Sequence, residues 1–445
     1  MKKTLALILG AATVLSLASC GNKSEDDSII FLNFKPEVAD NYVKIAEAYK
    51  TETGKTVTVK TAASGSYDTT LTADMGADKT MPAIFQVNGA VGLSKWKDYT
   101  VDLSSDELYT KLTDKSLALK NGSAVAAFPI TVEGYGIIYN SEITDKYFQL
   151  SDIQTAVASM DAIDSFADLK TVVEDMQSHA TKLGIKGVFS STSLKHGDDW
   201  RYQTHLVSPA LTGEFGGSIT AVPKEFSFTY NAGYKNLLDL YLDNNVRTKA
   251  EQAGDDVNTA MAEMASGDAV MGQNGNWATG QICGKGSKVK AEKLKFLPLY
   301  MGDMGDNVKE ANQGLCVGTE NFVCINSKVS AAKQQAAKDF LHWLYQGNGK
   351  AYVAKATTDG GLGFIPTFDG FTGDLGPSDP LSKSIVSWMS KDGKSSLPWT
   401  FNYIPSQQWK DDFGINLAKY AIGNMQWNDV VSAASAEWKT EAAKL

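Results

Sequence analysis

The chain has 445 residues, of which 43% are apolar, 10% aromatic and 21% charged. Single cores rarely grow past about 250–300 residues, so this length calls for two or three cores, and the composition excludes a disordered or collagen-like chain. The formal charge of −9 excludes the basic surface that binding to a nucleic-acid backbone requires.

Met1-Lys2-Lys3 is a basic start, and 5–17 is an apolar stretch too short to span a bilayer comfortably. Leu17-Ala18-Ser19-Cys20 then closes it with small residues before a cysteine, so 1–19 reads as an export signal. The tetrad resembles the bacterial lipobox. That implies cleavage before Cys20, a diacylglycerol on its sulfur, and a mature protein held through this lipid at the outer face of the cytoplasmic membrane. Without the segment before Cys20 the chain carries 40 basic and 51 acidic residues, a charge of −11. Residues 20–28 are polar after the cysteine and read as a solvated tether. No later apolar run is long enough to predict a transmembrane helix.

The run 29–34 predicts a buried strand. Pro36 starts a helix in which Val38, Tyr42, Ile45 and Tyr49 fall at spacings of 4, 3 and 4, and Gly54 closes it. A β-rich run at 56–60, a helix at 67–77 and a third strand at 83–87 follow. The order β-α-β-α-β opens a parallel sheet with right-handed crossovers. Ligands of such sheets bind beyond the carboxyl ends of the strands, so 33–37, 64–67 and 86–89 are expected to line one crevice.

Further along, 124–140 gives two extended runs divided by Pro129. Residues 161–282 are helix-rich, with 166–183, 234–244 and 257–267 the clearest helices. A strand at 322–326, a helix at 331–345, an extended crossing at 360–366 and a mostly helical 407–444 complete the chain. No internal repeat and no long structureless linker interrupts it, so interleaved lobes are expected. The N-terminal lobe would comprise 29–131 and 299–357, and the C-terminal lobe 132–298 and 358–445. Cys316 and Cys324 lie symmetrically about Glu320. A hairpin there could pair them as a disulfide, and two buried free thiols fit equally well. Neither arrangement gives a zinc site, because His179, His196, His205 and His342 show no ligand spacing with them or with Cys283.

Three phrases then stand in order: Phe128-Pro-Ile-Thr-Val-Glu133 with Gly136-Ile-Ile-Tyr-Asn140, Gly267-Asp-Ala-Val-Met-Gly-Gln-Asn-Gly-Asn-Trp277, and Ile404-Pro-Ser-Gln-Gln-Trp409. Behind a lipobox, this series resembles the maltodextrin-binding-like solute-binding proteins of carbohydrate ABC importers, over nearly the whole mature chain. The resemblance implies an α/β, two-lobe periplasmic-binding-protein-like fold of type II, each lobe a mainly parallel sheet flanked by helices, with the ligand cleft between them. It implies that Glu133 reaches sugar hydroxyls from a hinge strand, that Trp277 stacks on a pyranose ring, and that Trp409 supplies a further binding aromatic. It also implies a malto-oligosaccharide ligand such as maltose or maltotriose, with raffinose-type or xylo-oligosaccharides next. The protein would be a monomer that hands its ligand to a membrane permease, with no cofactor, no metal and no catalysis. The chain departs from the best-known maltodextrin binders at Asn33-Phe-Lys-Pro-Glu37, where those carry an Asp-Lys pair. It departs again at Gln86-Val-Asn-Gly89, where those carry a Trp followed by an Asp-Arg pair.

A neutral oligosaccharide offers rims of hydroxyls and weakly polar C–H faces, so a binder needs aromatics beside carboxylates, amides and basic groups. Trp277, beside Asn274, Gly275 and Asn276, sits on a turn and not on a helical stripe, and with Glu133 and Asn276 it leads the candidates. Trp200, Arg201 and Tyr202 follow the polar 195–199 and form either an aromatic wall or ordinary packing. At least one of Trp399 and Trp409 should face the sugar, whereas Trp343, Trp388, Trp427 and Trp438 read as packing residues. Glu37, Asn88 and Tyr67 come from strand ends and either touch the ligand or support the loops. A glycoside hydrolase is the rival class, but it needs a second carboxylate at about 5–5.5 or 6.5–9.5 Å, and Glu133 has no obvious partner in sequence. Residues 303–307 lack the full spacing of a calcium loop, and 280–285 are one residue short of a P-loop.

Overall fold

The computed structural model describes residues 27–445 except Ser64. The export signal, Cys20 and most of the tether lie outside the described residues. In chain order the strands are β1 Ile29–Asn33, β2 Val57–Thr61, β3 Ile84–Asn88, β4 Leu119–Asn121, β5 Ala124–Pro129, β6 Thr131–Asn140, β7 Gly187–Phe189, β8 Ala269–Gly275, β9 Leu294–Leu297, β10 Gln313–Gly318, β11 Asn321–Ile325, β12 Ile365–Pro366 and β13 Ser395–Leu397. They build a six-stranded sheet, β2-β1-β3-β11-β5-β4, and a seven-stranded one, β13-β10-β6-β8-β7, in which β9 and β12 also pair with β6.

The opening follows the periodicity. Helix Ala39–Thr53 buries Tyr42, Ile45, Ala46 and Tyr49 and stops at Gly54, whose φ of 76° is open to glycine without strain. β1 pairs in parallel with β2 and with β3. Side chains alternate between sheet faces: Phe31 and Ile84 join one core of the six-stranded lobe, while Leu32 and Phe85 join the other. In the second lobe Ile137 and Ile138 divide in the same way.

The sheets are mixed and not mainly parallel. β11 is antiparallel to β3 and β5, and β8, β9 and β10 are antiparallel to β6. A strand that arrives from the other lobe enters its new sheet at the cleft end, opposite to β1 and β3, which run towards the cleft. The passage from β5 into β6 is one crossing and that from β10 into β11 a second. Beside them Ile365 and Pro366 of β12 pair with Val132 and Thr131, and the Thr367 hydroxyl donates to the Pro129 carbonyl at 2.6 Å.

Strand and core membership moves the expected lobe boundaries. Leu299, Tyr300 and Met301 pack in the second lobe's core and β10 lies in its sheet, so the chain changes lobe between Gly318 and Asn321 and not near 299. Leu362, Phe364, Phe368 and Phe371 pack with the first lobe, so the return falls after 371 and not at 358. The crossing at 318–321 also settles the cysteines. Cys316 lies opposite Tyr135 in one sheet and Cys324 opposite Phe85 in the other; both are free, because no hairpin forms. The expected helix 166–183 divides at His179 into Phe166–Ser178 and Ala180–Leu183. Trp343, Trp388, Trp427 and Trp438 are buried, as their spacing predicts. Among the described residues no helix is long and apolar enough to cross a membrane.

Candidate functional site

The site starts from a turn at the end of β1. The Asn33 side-chain carbonyl accepts from the Lys35 N–H at 3.0 Å, and its amide donates to the Lys35 carbonyl at 2.8 Å and to Thr61 Oγ1 at 3.1 Å. This side-chain turn folds Lys35 into the cleft, where it is only 5% exposed. Its Nζ lies 2.5 Å from Glu133 Oε1 and 3.2 Å from Glu37 Oε1, and 5.7 Å from the Trp277 ring centre. Burial by itself would lower the Lys35 ammonium, but Glu133 and then Glu37 overcome it and hold the group charged. Burial pushes the Glu133 carboxyl up while Lys35 draws it back.

Trp277 stands on the 3-10 turn Asn276–Ala278 after β8. Its Nε1 donates to Asn274 Oδ1 at 2.8 Å, and the ring lies so close over Gly275 that a Cβ there would fall 2.2 Å from it. Trp277 is half-buried, 6.0 Å from Trp200 and 5.7 Å from His205 between ring centres. The Arg201 guanidinium covers the Trp200 ring at 3.8 Å. His205 stacks on Tyr135 at 4.0 Å and packs against Phe401 and Trp399 at 5.2 and 6.1 Å. Arg201 and His205 belong to a π-helical turn, Arg201–Leu206.

Burial lowers Arg201 to about 10, and burial with Arg201 and Lys410 holds His205 well below its ordinary value, as a neutral imidazole. Glu320, on the crossing between β10 and β11, is pushed up to about 7 by burial and then by Glu133. Buried polar atoms are ordinarily paired, yet Gln86 Nε2, Arg201 Nε, His205 Nδ1, Thr319 Oγ1, Asn321 Oδ1 and Trp399 Nε1 have no partner. Asn321 adjoins this knot, its amide 3.5 Å from Glu133 Oε2. Flat apolar faces beside unpaired donors and acceptors and a buried, already paired charge cluster suit an uncharged polyhydroxylated ligand.

Several expected contacts resolve differently. Trp409 is fully buried, donates to the Ala434 carbonyl at 2.8 Å and packs on Phe413 and Trp438. Ser406 caps helix Gln407–Ala421, and that start turns Trp409 into the second lobe's core. Trp399 is the member of the pair that reaches the His205 cluster. Tyr202 packs in the core against Tyr241, so the aromatic wall reduces to Trp200. The Tyr67 hydroxyl ties β1 to β3, donating to the Leu32 carbonyl and accepting from the Gln86 N–H. Asn276 is a brace: it accepts from the Gly134 N–H and donates to Ser382 Oγ. Asn88 is exposed at the end of β3. Glu37 reaches the site through Lys35. Sequence reasoning placed Lys35 only within the crevice-lining run 33–37 and did not single it out, although its place between Asn33 and Pro36 at a strand end was the signal. His205, Phe401 and Thr319 carried none.

The lobes also meet beyond this knot. A Cβ on Gly65 would lie 3.1 Å from the Gly197 carbonyl oxygen, and one on Gly89 would lie 3.7 Å from Asn402.

The family described as bacterial extracellular solute-binding protein matches residues 44–380. A chitin oligosaccharide binding protein superposes with a TM-score of 0.69 at 17% identity, covering 94% of this chain and 99% of that one. The solute-binding protein RafE in complex with raffinose gives 0.67 at 16% identity, over 93% and 99%. Maltose-bound MalE3 of T. maritima gives 0.65 at 17% identity, over 93% and 99%. Curated proteins include no match. At such identities the likeness concerns the fold, two lobes around a cleft.

Proposed function

The chain belongs to the bacterial extracellular solute-binding proteins, and from that premise we propose that it captures a neutral oligosaccharide between its lobes and delivers it to the permease subunits of an ABC importer. The observation that carries this reading is the pair of half-buried indoles, Trp277 and Trp200, beside the Lys35–Glu133–Glu37 knot and the unpaired polar atoms around it. Indole faces match the C–H faces of pyranose rings, and charged groups already held in place strengthen hydrogen bonds to hydroxyls.

The two crossings, with β12 paired beside them, give the two lobes a common hinge, and ligand contacts made from both sides favour the closed arrangement. That closed form is what the permease would recognise. The mature protein, a monomer, would be tethered outside the cell membrane by lipid on Cys20. Binding without turnover is the reading that membership of a solute-binding family supports. Among ligands, a malto-oligosaccharide such as maltotriose comes first on the resemblance of the sequence phrases, with raffinose-type and xylo-oligosaccharides as alternatives.

The test is a calorimetric titration against maltotriose, raffinose, xylotriose and chitotriose, with the sugars analysed afterwards. Binding of at least one, recovered at its original length, is expected. No heat with any of them, or shortened products, would overturn the proposal.

A further inference from the structure

We propose that the cleft is closed at one end only, and that a bound oligosaccharide keeps one terminus enclosed while the other passes out through a groove between the start of the first lobe's opening helix and the turn after Trp277. This inference rests on the oligosaccharide reading and adds to it how the ligand is oriented and which lengths are accepted.

The closed end lies beyond Trp200. Gly65, at a φ of 71°, faces the Gly197 carbonyl oxygen so closely that a Cβ would sit 3.1 Å from it, and Gly89 meets Asn402 nearby. At Gly65 and Gly197 the two lobes meet backbone to backbone. The other end runs from Trp277 past Lys35 to Glu37. There a groove of about 380 Å³ opens, lined from the first lobe by Glu37, Asp40 and Asn41, from the second by Gln281 and Lys285, and by Thr358.

Two features link the groove to the site. Glu37 belongs to both, its carboxylate 3.2 Å from Lys35 Nζ, and the helix Thr279–Ile282 that carries Gln281 follows directly on the turn that carries Trp277. The volume lies within the range of about 300–1,000 Å³ typical of small-molecule sites. Acids, amides, a lysine and a hydroxyl line it with no aromatic platform, which suits the rim of a sugar more than its face. Gln281 Oε1 is itself buried without a hydrogen-bond partner.

The experiment titrates the intact protein with malto-oligosaccharides from maltotriose to maltoheptaose, or with the corresponding series of whichever sugar binds in the panel above. It adds two tagged trisaccharides, one carrying 2-aminopyridine at the reducing end and one blocked at the non-reducing end. One tag should be tolerated within about threefold and the other should lower affinity at least tenfold, with affinity roughly constant once the enclosed subsites are filled. Thr358→Trp, at an exposed groove position, should lower heptaose affinity at least tenfold relative to the trisaccharide. A bound trisaccharide excluded by both tags, or accepted with either, would overturn this inference and leave the oligosaccharide reading standing. Failure of every sugar to bind would overturn both.

Discussion

Lys35 is the residue on which the site's charge balance turns. It is the cation between Glu133 and Glu37, and all three are withdrawn from solvent to different degrees. Removing one partner of a buried pair strands the other and costs about 3–5 kcal/mol. Lys35→Met should therefore lower unfolding free energy by about that amount in denaturant titrations, and adding Glu133→Gln should recover part of it. Equal stability of wild type and Lys35→Met would show that the knot is not paired as described. Glu320 gives a pH prediction. Its carboxyl is raised from 4.5 to about 7 by burial and Glu133, so the folded form holds the proton more tightly than the unfolded one. The stability this contributes is fully present below the ordinary value and is lost as pH rises through about 7. Thermal melts should show this decline in the wild type and a flatter profile in Glu320→Gln; parallel profiles would contradict the assignment. The residues that sequence reasoning could reach were those marked by a turn, such as Trp277 after Asn274-Gly275-Asn276. Trp409 looked equivalent because its phrase opens a helix, yet its direction depends on which neighbours the capped helix packs against. His205 shows why a lone histidine in an unremarkable stretch stays hidden: its role comes from stacking on Tyr135, which only the folded chain brings to it.

At the scale of elements, the turn after β8 presents its indole because Gly275 leaves room for it. Gly275→Ala would push a methyl into the Trp277 ring, so ligand affinity should fall while the fold's circular dichroism is retained; unchanged affinity would mean the ring's position is not set by this contact. The opening β-α-β-α-β was legible because Val38, Tyr42, Ile45 and Tyr49 carry a helical period between runs with strand character. The step from β10 to β11 was not. Apolar residues flank Thr319 and Glu320 on both sides, a pattern shared by a hairpin and by a strand that passes from one sheet into another. Which occurs is decided by pairing partners far away, Tyr135 for Cys316 and Phe85 for Cys324. The same ambiguity displaced the lobe boundaries near 299 and 358 and left the antiparallel strands unforeseen.

For the whole molecule, two crossings side by side, with β12 paired to one of them, mean that the lobes can rotate with little change inside either sheet. Saturating sugar should reduce the radius of gyration measured by X-ray scattering, and identical profiles with and without sugar would reject closure. The central claim is narrower: one ligand is gripped by both lobes, with Trp277 as the platform. The most direct measurement compares calorimetric titrations of the wild type and Trp277→Ala with the same oligosaccharide. Loss of the ring's buried face is worth about 1–3 kcal/mol, so the variant should bind about fivefold to 150-fold more weakly while melting like the wild type. Superimposable binding curves would contradict the account.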